Sequence, residues 1–181
     1  MKVSILLLLP LCFLLLSNSC SKSKSENQLP PATQTGANSF GCLIDGKVWI
    51  PTGGGIGSGV NPTSGGFFRD INGELNIYIK AYTSNDYFHI YLKKKTTAGT
   101  YVLNKNTSVR PGAILPESYG AYFINGQDYY VTDSLNNGTV IISYADTTKG
   151  IVAGTFQMRI IQKTTNKIKV ISEGRFDYKN H

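Results

Sequence analysis

The chain has 181 residues, of which 41% are hydrophobic and 16% are charged, with 19 glycines and 7 prolines. This composition is typical of one globular domain with a hydrophobic core. It excludes wholesale disorder, a collagen-like repeat and a coiled coil, because the charged fraction is low and no long like-charge block occurs. The formal net charge is +7. Residues 1–37 contribute three lysines and one glutamate, so +5 remains on residues 38–181.

The N-terminus carries an export signal. Lys2 precedes an unbroken apolar run, Ile5–Leu16, which contains Pro10. A membrane-spanning helix needs about 20 apolar residues, and this run is shorter. A positive residue, a short apolar run and a small polar stretch together predict a signal peptide that is removed from the mature protein.

A cysteine stands at the end of this signal. Ser17-Asn18-Ser19 separates the apolar run from Cys20. A small residue directly before a cysteine resembles the lipobox of bacterial lipoproteins, although Leu16 stands one place earlier than the usual leucine. The resemblance implies cleavage after residue 19, acyl chains such as palmitate on Cys20, and an anchor in the envelope, expected in the outer membrane. The alternative is an ordinary signal peptide with an incidental cysteine.

The rest of the chain divides into a tether and a body. Residues 20–37 begin with the lipidated cysteine and are otherwise polar, contain two prolines and lack apolar periodicity, which is typical of a flexible tether. Residues 38–181 are predicted to form a single all-β domain. For an exported, basic body, anionic headgroups and acidic glycans are accessible partners, whereas nucleic acid is not expected to be one.

No constellation of residues points to catalysis. Cys42 is the one cysteine left in the body, so no disulfide is expected, and we interpret it as a small buried apolar residue. A nucleophile elbow, an H-E-x-x-H motif and Cys-x-x-Cys pairs are all missing from the sequence. We therefore predict no catalytic residues, no metal site and no cofactor. A hydrolase with a site assembled only by folding stays open as an alternative.

The first predicted hairpin lies at the start of the body. Two apolar runs flank Asp45-Gly46, the dipeptide favoured in a two-residue type I′ turn. Pairing across this turn places Leu43 opposite Val48 and Cys42 opposite Trp49.

A second hairpin is predicted over Leu75–Lys94, where two alternating runs flank the loop Thr83–Asp86. One face is expected to be aliphatic, with Ile79 opposite Ile90 and Ala81 opposite Phe88. The other face is predicted to hold a ladder of tyrosines and cations, consisting of Tyr78, Lys80, Tyr82, Tyr87, His89 and Tyr91.

These six residues are the candidate ligand-binding site. Aromatic rings stack on the faces of sugars, so an exposed ladder would make a flat glycan-binding platform with polar edges. The alternative is structural: cross-strand aromatic pairs stabilise a hairpin, or a second sheet or the glycine-rich segment covers this face.

The remaining strands have β-branched or aromatic residues bounded by turn residues. They are predicted at Thr100–Leu103, Tyr119–Ile124, Asp128–Thr132, Thr139–Tyr144, Val152–Ile161 and Lys167–Phe176. Residues 52–66 hold seven glycines and are predicted to form a long loop. About ten short strands imply an antiparallel β-sandwich or a barrel, and periodicity does not choose between them.

Three segments carry a family resemblance. Asn38–Pro51, Gly154-Thr155-Phe156 and Ser172–Asp177 resemble an uncharacterised domain family of Bacteroidetes-type envelope lipoproteins. The resemblance implies an envelope location and an all-β body, and it carries no activity or ligand. Such envelopes also use a short O-glycosylation signal, which Asp133-Ser134-Leu135 and Asp146-Thr147-Thr148 resemble, so Ser134 and Thr147 are candidate glycosylation sites.

The expected function is that of a membrane-anchored accessory or interaction module that contacts another envelope protein. Glycan binding through the tyrosine-lined face is the alternative.

Overall fold

The computed structural model describes residues 28–53, 59, 61–105, 117–125 and 128–180. This part of the chain contains eleven β-strands and no helix. The strands are β1 (Ser39–Ile44), β2 (Lys47–Trp49), β3 (Thr63–Arg69), β4 (Leu75–Tyr82), β5 (Asp86–Leu92), β6 (Gly99–Leu103), β7 (Tyr119–Ile124), β8 (Asp128–Val131), β9 (Gly138–Asp146), β10 (Ile151–Ile161) and β11 (Ile168–Lys179). No helix there is long and apolar enough to cross a membrane.

All strands belong to one antiparallel sheet, in the order β2-β1-β11-β10-β8-β7-β5-β4-β3. β9 also pairs with β10, and β6 pairs with β9. The sheet curls into a half-barrel. The predicted all-β antiparallel class is confirmed, with eleven strands in place of about ten.

Both hairpins have the predicted register. Leu43 pairs with Val48 and Cys42 with Trp49 across a turn in which Asp45 and Gly46 have φ of 50° and 78°. In the second hairpin every predicted pair from Ile77–Leu92 to Tyr82–Tyr87 is observed. These contacts are local, so turn chemistry and alternation are sufficient to predict them.

The predicted loop 52–66 was wrong at its C-terminal end, because β3 begins at Thr63 and includes Gly65 and Gly66. Glycine is required here by close packing. A Cβ on Gly65 would lie 3.0 Å from the ring of Tyr178, and Gly66 has a φ of 126° and lies against the side chain of Asn180. The Asn180 amide also bonds to both backbone groups of Phe67, so it joins β3 to the end of β11 as another strand would.

The aliphatic face of the hairpin lies in the main core. Ile77, Ile79, Ala81, Phe88 and Ile90 are fully buried there. An aromatic cluster continues this core across the curled sheet, where neighbouring rings of Phe40, Phe88, Phe156 and Phe176 lie 5.2–6.4 Å apart.

The motif residues near the C-terminus have structural roles. Glu173, with a φ of 50°, lies at a bulge where β11 shifts register against both β1 and β10. The next residue, Gly174, lies directly over the ring of Phe156, so a Cβ would lie 2.6 Å from three ring atoms. The bulge and the glycine together leave room for the Phe156 ring to pack in the core.

The segment before β1 packs against the sheet. The buried carboxylate of Asp177 accepts hydrogen bonds from Thr33 Oγ1 (2.6 Å), Thr35 N (2.9 Å) and Gly36 N (2.7 Å). Pro30 lies against Gly41. The contacts of the folded body therefore extend into the predicted tether, ahead of the predicted boundary at residue 38.

Candidate functional site

The six predicted site residues share one face of the sheet, here called the tyrosine face. It lies opposite the main core and extends from β4 and β5 onto β3, β7 and β8 through cross-strand pairs. The pairing arranges its side chains in three rows that run across the strands.

The first row is a stack of four aromatic rings. Tyr82 lies 5.6 Å from Tyr87, Tyr87 lies 4.4 Å from Phe123, and Phe123 lies 6.3 Å from Tyr129, measured between ring centroids. All three pairs are stacked, with interplanar angles of 29°, 9° and 25°. The three tyrosines are half-buried and Phe123 is buried. The row is therefore partly accessible at Tyr82, Tyr87 and Tyr129, with buried Phe123 between the last two.

The row on the other side of the face is mostly inaccessible to solvent. Tyr78 pairs with Tyr91, and Tyr91 pairs with Tyr119. Phe68 packs on both Tyr78 (5.2 Å) and Tyr91 (6.0 Å). As a result Tyr91 and Tyr119 are each only 1% exposed, whereas Tyr78 is half-buried.

The central row contains the two cations of the prediction. Ser64, Lys80, His89, Ala121 and Val131 follow one another across β3, β4, β5, β7 and β8. His89 is 5% exposed, and its Nδ1 lies 2.9 Å from the hydroxyl of Tyr119. Its other nitrogen, Nε2, is buried without a hydrogen-bond partner.

The electrostatics of the central row follow from burial. Burial, helped by the nearby charge of Lys80, lowers the pKa of His89 to about 3, so the imidazole is neutral at pH 7. Burial also lowers the pKa of Lys80. The Lys80 ammonium lies 5.6 Å from the ring of Tyr78. Among the described residues no carboxylate forms an ion pair with it.

The structure therefore brings the six predicted residues together but corrects the platform they form. A flat surface exposing all six is wrong, because Phe68 and Tyr119 enclose Tyr91 and His89. The accessible part consists of Tyr78, Lys80, Tyr82 and Tyr87, extended by Tyr129. Sequence reasoning missed Phe68 because β3 was not predicted as a strand. It missed Tyr119, Phe123 and Tyr129 because β7 and β8 reach this face through the non-local pairing of β5 with β7.

Cys42 and His89 lie on opposite faces of the sheet, Cys42 in the main core and His89 on the tyrosine face. Burial and the negative charge of Asp86 raise the pKa of the Cys42 thiol. Asp86 itself accepts hydrogen bonds from Tyr122, Thr83 and Trp49 Nε1. Cys42 is thus a buried residue beside a bonded carboxylate and does not form a thiol–imidazole pair with His89.

Two other predicted sites lie in turns. Asp133 Oδ1 accepts hydrogen bonds from the backbone N–H groups of Leu135 and Asn136. Ser134, which follows Asp133 in this turn, is exposed. Thr147 occupies the corresponding exposed position after Asp146. Cys20 lies outside the described residues. Within the described part of the chain, no group of three or more His, Cys, Asp or Glu side chains is placed to hold a metal ion.

Comparison with known proteins gives one result. A model of a domain of unknown function, DUF6252, matches residues 67–178, which is more than half of the chain. The chain belongs to the DUF6252 family. The matched range includes the G-T-F and E-G-R-F-D segments and the whole hairpin of β4 and β5, and it begins after the opening hairpin of β1 and β2. The predicted membership of an uncharacterised family is confirmed. Neither a search of curated proteins nor a search of solved structures gave a match.

Proposed function

We propose that this DUF6252 protein is an envelope lipoprotein, anchored in the outer membrane through acyl chains on Cys20. Its body acts as a non-catalytic interaction module. The anchor is supported by the apolar run Ile5–Leu16 followed by Ser19-Cys20 and a polar segment. Several acyl chains hold a protein on a membrane stably, because each buried methylene contributes about 0.8 kcal/mol.

Cys20→Ser tests the anchor, with Cys12→Ser as the control, because Cys12 lies within the predicted signal. The wild type and Cys12→Ser should partition into detergent and carry acyl mass on an N-terminal Cys20. Cys20→Ser should lose both properties. A mature N-terminus at another residue, without acyl mass, would contradict the proposal.

The proposed contact surface is the accessible part of the tyrosine face. The stacked row of Tyr82, Tyr87, Phe123 and Tyr129 carries this proposal, because its three tyrosines are half-exposed and buried Phe123 joins Tyr129 to the other two in one stack. Rings held in place by their neighbours lose little side-chain entropy when a partner stacks on them. Such rings suit the apolar face of a sugar, so glycan binding is the specific candidate.

An array of neutral and acidic glycans tests this candidate, with Tyr82→Ala and Tyr87→Ala as variants. Tyr101→Ala is the matched control, because Tyr101 is a half-buried tyrosine on β6, away from the tyrosine face. Binding should fall tenfold or more in the first two variants and stay unchanged in the control. Binding unaffected by Tyr82→Ala and Tyr87→Ala would reject this face, and no glycan binding at all would direct the search to an envelope protein partner.

Cys42 and His89 do not form a nucleophile–base pair that would support the hydrolase alternative. Cys42 is buried in the core, on the opposite face of the sheet from His89. We therefore keep the non-catalytic role as the proposal.

Ser134 and Thr147 are proposed O-glycosylation sites. Both are exposed in turns closed by the preceding aspartate, which leaves the hydroxyl-bearing residue at the surface. Mass spectrometry of the protein from its native envelope should find sugar on these residues and none on Ser84, an exposed serine that follows a threonine. Unmodified peptides covering both sites would refute the assignment.

A further inference from the structure

Two polar groups on the tyrosine face lack the partners that their burial calls for. His89 Nε2 is buried without a hydrogen bond to any residue that the structure describes, although His89 lies in the middle of a five-strand row. A buried polar atom left without a partner lowers the stability of the fold. Such atoms are few in native structures, and they mark strain, a functional site or a bound water or ion.

The tautomer of His89 decides what Nε2 offers to a ligand, because a protonated phenol at Tyr119 can either donate to Nδ1 or accept from it. Burial raises the pKa of Tyr119 well above its ordinary value, so the phenol keeps its proton. The Tyr119 hydroxyl lies 2.9 Å from Nδ1. With the phenol donating to Nδ1, the proton of the neutral imidazole resides on Nε2. His89 then holds a buried N–H donor ready for an acceptor.

Lys80 is the second group. It pairs directly with His89 across β4 and β5, so the two side chains are neighbours on the same face. Its ammonium is half-buried beside the Tyr78 ring and has no carboxylate partner in the described part of the chain. A partly desolvated cation without a counter-charge attracts an anion more strongly than a solvated surface lysine does.

The surroundings indicate which kind of anion fits. Half-exposed rings flank the central row, with Tyr78 on one side and Tyr82 and Tyr87 on the other. Beside His89 the row continues with Ala121, whose side chain is a single methyl group. A cation and an N–H donor between two sets of rings match a ligand that combines a carboxylate with a flat apolar surface.

We propose that Lys80 and His89 bind the carboxylate of an acidic saccharide, while the flanking tyrosines stack on its ring. The carboxylate accepts hydrogen bonds from Lys80 Nζ and, in the bound state, from His89 Nε2, which is buried in the free protein. The inference rests on the glycan-binding function proposed above. It adds that the ligand is negatively charged and that Lys80 and His89 bind the charged group.

Matched pairs of ligands test the proposal on the mature protein in detergent micelles. Trisaccharides of galacturonic, glucuronic and sialic acid are titrated beside their methyl esters, which keep the sugar ring and lose the charge. At least one acid should bind tenfold or more tightly than its ester. Inorganic phosphate, titrated as a competitor, should displace that acid poorly.

Two variants locate the effect. Lys80→Met keeps the apolar stem and should reduce the preference for acid over ester below twofold. His89→Phe keeps an aromatic ring at this position, removes the donor and should weaken binding of the acid several-fold. Lys47→Met is the control, because Lys47 is an exposed lysine on β2 and its loss changes the net charge equally. Circular dichroism spectra that match the wild type show that each variant is folded.

The outcomes separate the two proposals. Acid and ester binding equally, with binding lost in Tyr82→Ala, would overturn the carboxylate site and leave glycan binding standing. An acid preference that Lys80→Met and Lys47→Met reduce equally would reveal a general charge effect and overturn the site. Displacement by phosphate at matched concentration would overturn the saccharide assignment, and no saccharide binding at all would overturn both proposals.

Discussion

Replacing Asp177 with asparagine should loosen the N-terminal segment from the sheet. The carboxylate is 1% exposed, and it accepts bonds from Thr33 and Thr35 on Oδ2 and from Gly36 on Oδ1. Asparagine keeps the shape but replaces one oxygen with an NH₂ group. If the amide oxygen takes the Oδ2 position, the NH₂ group faces the N–H of Gly36, and the 2.7 Å bond is lost.

The size of the effect follows from that lost bond. A hydrogen bond to a charged group contributes about 1.5–3 kcal/mol. Gly36 is only partly buried, so water takes up part of the loss at that residue. We therefore expect the free energy of unfolding to fall by about 2 kcal/mol in a soluble form that begins after Cys20, measured by urea denaturation.

Truncation supplies the decisive control. In a form that begins at residue 38, the donors of Thr33, Thr35 and Gly36 are gone, so Asp177→Asn should change the free energy of unfolding by less than about 0.5 kcal/mol. An equal loss in both forms would refute the reasoning, because Asp177 would then stabilise the sheet independently of the N-terminal segment. An unchanged stability in the longer form would refute it as well.

The pH dependence of the free energy of unfolding is a second test of the contact between Asp177 and the N-terminal segment. Burial opposes ionisation of Asp177, but the bonds from Thr33, Thr35 and Gly36 outweigh it and lower its pKa below the ordinary 3.8. A carboxyl group with a lowered pKa stabilises the fold above its unfolded pKa and loses that contribution as pH falls through the folded value. The stability difference between wild type and Asp177→Asn should therefore be constant near neutral pH and shrink below about pH 4.

Two further predictions concern the core. Gly174→Ala should displace the Phe156 ring and lower the free energy of unfolding by about 1–3 kcal/mol. Gly46→Ala is the control, because Gly46 lies in open space at a positive φ, and it should lower the free energy of unfolding by about 1 kcal/mol. Equal losses in urea denaturation would refute the contact between Gly174 and Phe156. Cys42 should resist a chromogenic disulfide reagent at pH 8 until the protein unfolds, because it is fully buried and because burial and the charge of Asp86 raise its pKa. Rapid reaction of the native protein would contradict this.

Alternation and turn chemistry were enough for the two hairpins. Asp45-Gly46 determined one turn, and the alternating runs on each side of Thr83–Asp86 determined every pair of the other, from Ile77–Leu92 to Tyr82–Tyr87. The same reasoning failed at β3, because Gly65 and Gly66 have weak strand propensity. They belong to a strand because they pair with Ile79 and Tyr78 of β4. Glycine is required at both positions because Tyr178 and Asn180, more than 100 residues later in the chain, leave no room for a Cβ.

For the candidate site, too, sequence reasoning was correct in one respect and insufficient in another. The sequence predicted correctly that the six residues share one face, since side chains of a strand alternate with a period of two. It did not predict which of them would be accessible. Exposure depends on which strands flank β4 and β5, and the pairing of β5 with β7 brings Tyr119 and Phe123 against the hairpin.

The sequence by itself determined the antiparallel all-β class and the local registers, because these depend on neighbours a few residues apart. It also predicted lipid anchoring at Cys20, because the signal for anchoring is a contiguous stretch of sequence. Only the tertiary structure decided that Tyr91 and His89 are enclosed, that Lys80 lacks a counter-charge among the described residues, and that Asp177 holds the segment before β1. Each of these properties depends on strands distant in sequence, and burial and unmet hydrogen bonds exist only once those strands have packed together.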